Sequence, residues 1–148
     1  MFSRRIVFCA AVLLGLAFGP LAQARDSALH LPIKDVLEDP EFKSRLGTDI
    51  ALYFGKQATP PVAQAFSEVT TNKKTNSFGK SDDKACRWVM LSALLQLIES
   101  ARSHGGNAVT EIASDYKKVE FVSDTEYECH VGGVVAGVAL KGRIVKLQ

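Results

Sequence analysis

The chain reads as an α+β domain: a small antiparallel or mixed β-sheet with one main packed α-helix, in the order α-β-β-α-β-β-β. Three observations predict this. Apolar residues recur at three- and four-residue intervals from Asp82 to His104, the mark of a helix with one buried stripe. The segments after it are extended and rich in β-branched residues. Between the two patterns stands Gly105-Gly106, a pair suited to ending a helix. One amphipathic helix laid on one sheet buries the apolar side of both.

The chain opens with Arg4 and Arg5, an apolar run from Ile6 to Phe18, and Ala22-Gln23-Ala24. A basic start, a short apolar centre and an A-x-A site make a secretory signal peptide of residues 1–24, cut after Ala24. A retained helix is the competing reading, but the apolar run is shorter than the roughly 20 residues that span a bilayer. Export to the periplasm without stable membrane insertion is therefore expected, with residues 25–148 as one disulfide-braced domain. Lys and Arg total 18 against 16 Asp and Glu, and the excess is Arg4 and Arg5. A balanced mature chain lacks the basic footprint of a nucleic-acid binder.

Ile33 to Leu46 carries Ile33, Val36, Leu37, Phe42 and Leu46 among charges and ends at Gly47, which predicts a short helix, or two turns broken near Pro40. Ile50 to Phe54 is apolar and aromatic and predicts a buried strand. Ala65 to Thr71 predicts a second strand. Thr71 to Lys84 is the most polar stretch and reads as a long exposed loop, with Lys73, Lys74, Asn76 and Lys80 as its candidate interaction residues.

In the main helix, Cys86, Met90, Ala93, Leu94, Leu97 and Ala101 form the buried stripe, and Ser81 or Asp82 caps the amino end. Three extended runs follow: Asn107 to Tyr116, Val119 to Val122 with Thr125 to Val131, and Val134 to Leu147. The glycines and β-branched residues of the last run favour a strand with a bend over a helix.

Gly79-Lys80-Ser81 spells the end of a phosphate-binding loop, whose full form is G-x-x-x-x-G-K-[ST]. The first glycine should stand five residues before Gly79, where the chain has Lys74. The triplet is better used as a helix start, with Asp82 and Asp83 complementing the positive end of the helix dipole. No nucleophile or metalloprotease motif accompanies His30, His104 or His130, so neither a catalytic residue nor a cofactor is assigned.

Two cysteines follow the signal peptide, Cys86 and Cys129, an even count in an oxidising compartment and without a C-x-x-C spacing. A disulfide between them is the first reading. The alternative makes Cys86, Cys129, His130 and His104 soft ligands for a heavy metal, although Cys129 and His130 are neighbours that a strand points to opposite faces.

Ala101, Gly105, Gly106, Asn107, Ala108 and Val109, within "ALLQLIESARSHGGNAV", together with the end strand "GGVVAGVALKGRIVKL", resemble the RcsF and YbjQ group of small bacterial envelope domains. "KTNSFGKSDDKACRW" with "YEC" also resembles short periplasmic proteins sometimes named excinuclease ATPase subunits. The first resemblance implies a disulfide-braced envelope protein that senses or signals through contact with another envelope protein. Its YbjQ side implies heavy-metal binding and homo-oligomers. This chain has no cysteine placed for lipid attachment, and its two mature cysteines suffice for one bridge. The residues and the resemblance converge on a non-catalytic interaction module, with metal binding as the alternative.

Overall fold

The computed structural model describes residues 25–148, so the expected signal peptide lies outside the described residues. The elements run β1 (Ser27–Pro32), α1 (Lys34–Leu37), α2 (Pro40–Leu46), β2 (Ala51–Phe54), β3 (Val62–Asn76), α3 (Asp82–Ser103), β4 (Ala108–Tyr116), β5 (Val119–Phe121), β6 (Glu126–Val131) and β7 (Val135–Leu147).

Helix α3 forms where its periodicity places it. Ser81 caps it by accepting a hydrogen bond from the Lys84 amide at 3.3 Å, and Asp82 and Asp83 occupy the positive first turn. Ten residues of α3, from Ala85 to Ala101, are buried. The helix stops at His104, and Gly105 takes the left-handed conformation (φ +74°) that turns the chain away. Gly106 then runs against the sheet so closely that a β-carbon there would lie 2.6 Å from Ile144 Cγ2 and 2.9 Å from the Val145 carbonyl oxygen.

All seven strands belong to one mixed sheet built around β7. β3 pairs antiparallel along the whole of one edge of β7, from Val62 opposite Leu147 to Asn76 opposite Val135. β4 and β6 share the other edge: β4 pairs with the Leu140 to Val145 part, β6 with Ala136 and Gly137. β1 adds to β6, while β2 and β5 add to β4, β2 in parallel. α3 lies over β3 and β7, and α1 and α2 pack beside it. Phe42 of α2 meets Trp88 of α3 edge to face at 4.9 Å between ring centres, which seals that flank.

Of the two readings of Ile33 to Leu46, the one with a break near Pro40 is found: Asp39 is extended (ψ 121°) and caps a new start at Pro40, accepting from the amides of Glu41 and Phe42. Three other features differ from expectation. β1 precedes both helices and was not anticipated. β2 is no buried strand: only Phe54 is buried, since β2 flanks β4 at the sheet margin. Most consequentially, the loop expected over Thr71 to Lys84 is strand as far as Asn76 and turn only from 77 to 81. Asn72, Lys73, Lys74 and Asn76 are poor strand formers, but pairing with Val135 to Ala139 satisfies one edge of their backbone and overrides propensity.

Candidate interaction surface

Cys86 and Cys129 are joined in a disulfide, with both residues fully buried between α3 and β6. A sulfur in that bond offers no thiolate to a metal. His130 follows Cys129 along β6 and points to the other face, where its ring stacks on Tyr116 at 3.4 Å between centres. His104 ends α3 and donates from Nδ1 to the Ser100 carbonyl oxygen at 2.7 Å. The set Cys86, Cys129, His130 and His104 is therefore not brought together. Among the described residues no three His, Cys, Asp or Glu side chains form a group arranged for a metal.

The residues from Ala101 to Val109 build the junction between helix and sheet. Ala101, Ala108 and Val109 are fully buried. The Asn107 side chain clamps the last strand, accepting from the Leu147 amide at 2.7 Å and donating to the Leu147 carbonyl at 3.2 Å. Its backbone bonds to Val145 and to Ala51, so one residue ties β7 and β2 to the start of β4.

The letters Gly79-Lys80-Ser81 are spent locally. Gly79 takes φ +72° in the turn, Lys80 Nζ donates to the Asn76 carbonyl oxygen at 3.0 Å, and Ser81 caps α3. Around them a short hydrogen-bonded turn fixes the chain: the Phe78 amide donates to Asn76 Oδ1 at 2.8 Å, and the Ser77 amide donates to the Val134 carbonyl at 2.9 Å. Held this way, Phe78 projects into solvent with 76 % of its surface exposed. Val134 and Val135, 59 % and 42 % exposed, lie beside it. Together with Lys74, Thr75 and Asn76 they line an open apolar groove. Of the four residues expected in the interaction loop, Lys74 and Asn76 are in this groove, Lys80 is in its supporting turn, and Lys73 points half-buried to the helix side of β3.

A polar, aromatic depression adjoins the groove and shares Lys74 and Val135 with it. Arg25, Asp26, Tyr116 and His130 line it. His130 places Nδ1 3.2 Å from Asp26 and Nε2 2.8 Å from Glu128, whose other oxygen lies 3.3 Å from His30 Nε2. His30 in turn stacks on Phe121 at 4.2 Å. The hydrogen bond from His130 holds the Asp26 carboxyl below its ordinary range; partial desolvation opposes this, and the Lys117 charge assists it. Sequence reasoning missed the cluster because its members lie about a hundred positions apart. The one local signal is "EYECHV", whose alternation sets Glu128 and His130 on a common face of β6.

Comparison of the chain with family models, with curated proteins and with solved structures finds no match.

Proposed function

We propose that this protein is a non-catalytic, periplasmic protein-interaction module that docks another envelope protein through the groove of Lys74, Asn76, Phe78, Val134 and Val135. One observation carries the reading: Phe78 is three-quarters exposed, yet its backbone is tied by the Asn76 side chain, so the turn presents an apolar side chain instead of burying it. An exposed apolar patch rimmed by polar residues is the ordinary form of a protein contact site. Lys74 and Lys80 flank it, which favours a partner segment with an apolar side chain next to carboxylates.

Export supports the same reading. A buried disulfide suits an oxidising compartment, and the leader with its A-x-A site supplies the route. No helix among the described residues is long and apolar enough to cross a membrane. The resemblance at Ala101 to Val109 to the RcsF and YbjQ group adds envelope sensing to the proposal. The test is a photocrosslinking residue placed at position 78 in the exported protein, with position 92, on the exposed face of α3, as control. A discrete adduct with one envelope protein at 78 and none at 92 is expected. Equal labelling at both positions, or none at either, refutes the docking role.

A further inference from the structure

β3 is 15 residues long and, among the described residues, pairs only with β7. Its outer edge therefore presents a row of backbone donors and acceptors that another strand can complete. Two features restrict what can pair there. The ladder is irregular between Ala65 and Glu68, and Lys73 and Lys74 place charge on the edge.

These features select a register. Antiparallel pairing about a two-fold axis normal to the sheet keeps both helix-bearing faces on one side, so partners across the axis must come from the same face. Beyond the irregularity, Val69, Thr71, Lys73 and Thr75 face α3, and Glu68, Thr70, Asn72, Lys74 and Asn76 face outward. A register centred on Lys73 or Lys74 sets a lysine against itself. Centring on Thr70 or Asn72 leaves Glu68 opposite an asparagine. Centring on Thr71 sets Glu68 opposite Lys74 of the other copy, twice by symmetry. No described ion pair includes Glu68 or Lys74: the neighbouring Lys141 and Arg143 pair with Glu120 at 2.7 Å and Glu111 at 3.1 Å, and Glu68, opposite Arg143, adds only its field to that of Glu120 at Lys141.

We infer that β3 pairs antiparallel with β3 of a second copy of this chain, centred on Thr71, and joins two seven-stranded sheets into one. A separate observation falls at the same point. Thr71 is 7 % exposed, and its Oγ1 is buried with no hydrogen-bond partner among the described residues. In this register the two Thr71 side chains stand directly opposite, about 5 Å apart at Cβ, and a χ1 rotation that turns each covered hydroxyl toward the strand edge lets it meet the other as donor or acceptor. The helices also fit. With α3 seated over β3 and β7 and strands about 4.8 Å apart, the two α3 axes come about 10 Å apart, the ordinary spacing of packed helices.

The pairing shares Lys74 with the groove but not Phe78, Val134 or Val135, so Phe78→Ser, which should leave the monomer–dimer equilibrium unchanged, and Glu68→Lys, which lies outside the groove, let the two roles fail independently. Sedimentation velocity on the exported protein, disulfide intact, from about 1 μM to about 100 μM tests the pairing. A monomer–dimer equilibrium is expected in that range. Glu68→Lys and Lys74→Glu should each raise the dimer dissociation constant about tenfold or more, by setting like charges across both symmetric positions. The double reversal, Glu68→Lys with Lys74→Glu, should restore association with an unchanged melting temperature. A monomer throughout, a dimer indifferent to either single reversal, or a double reversal that fails to restore pairing overturns the inference.

Discussion

Cys86 in the first turns of α3 and Cys129 in β6 lie 43 residues apart in sequence and 5.9 Å apart at Cα, joined by a disulfide that pins the helix to the sheet. The bond closes a loop containing most of α3, all of β4 and β5, and the start of β6. In the chain-entropy description, closing a loop of that length in the unfolded state is worth about 4 kcal/mol, an upper figure because residual unfolded structure lowers it. Reduction should therefore shift the urea midpoint markedly downward, and intact mass should rise by about two daltons on reduction, the two hydrogens gained when a disulfide opens to thiols. An unchanged mass, or equal midpoints with and without reductant, contradicts the bond.

Gly106→Ala should destabilise the fold by about 1 to 3 kcal/mol, because the added methyl has no room against Ile144 and the Val145 carbonyl. Gly105→Ala meets no neighbour, yet it must hold a side chain at φ +74°, which costs about 1 kcal/mol. Chemical denaturation of both variants separates overpacking from backbone strain. A smaller loss at 106 than at 105 would contradict the contact at Ile144.

Asp26 supplies one part of the acid dependence, beside Asp49, whose carboxyl is held below its ordinary range by its hydrogen bonds from Arg102. The folded pKa of Asp26 lies below the ordinary value of 3.8, mainly through the hydrogen bond with His130, so its contribution is present above that value and is lost as pH falls through the lowered one. The melting curves of the parent and Asp26→Asn should differ at pH 5 and converge as the pH falls below 3.8 through the lowered value. Asp26 is exposed, so the difference at pH 5 should be small. A variant that parallels the parent over the whole range would disprove the linkage.

Phe78→Ser should leave stability within about 0.5 kcal/mol of the parent, because the side chain is mostly in water and buries little on folding. The same substitution should abolish specific photocrosslinking from a probe moved to Val134. A large loss of stability would show that Phe78 is a core residue, and undiminished crosslinking would separate it from the docking surface.

The helix boundaries, the capping serine, the glycine turn after His104 and the cysteine pairing were all legible in the sequence. Periodicity, caps and glycine breaks act within a few residues of chain, and an even pair of cysteines leaves one intramolecular bridge to form. The groove was half legible. Lys74, Asn76 and Lys80 stood out as a polar stretch, but their partners Val134 and Val135 come from a strand end about sixty residues away.

By itself the sequence determined an α+β domain with one dominant helix and its register of buried residues, and it put a tie between Cys86 and Cys129 first of two readings, which the structure contains. Only the tertiary structure decided that Asn72 to Asn76 is strand, that β1 adds to β6, that Phe78 stays outside, and that His30, Glu128, His130 and Asp26 meet. The division follows the range of the forces. A helix satisfies its backbone from residues four apart, so its limits are written locally. A strand takes its hydrogen bonds from whichever segment lies beside it, so a run with four unpromising residues became strand because Val135 to Ala139 was there to pair with it.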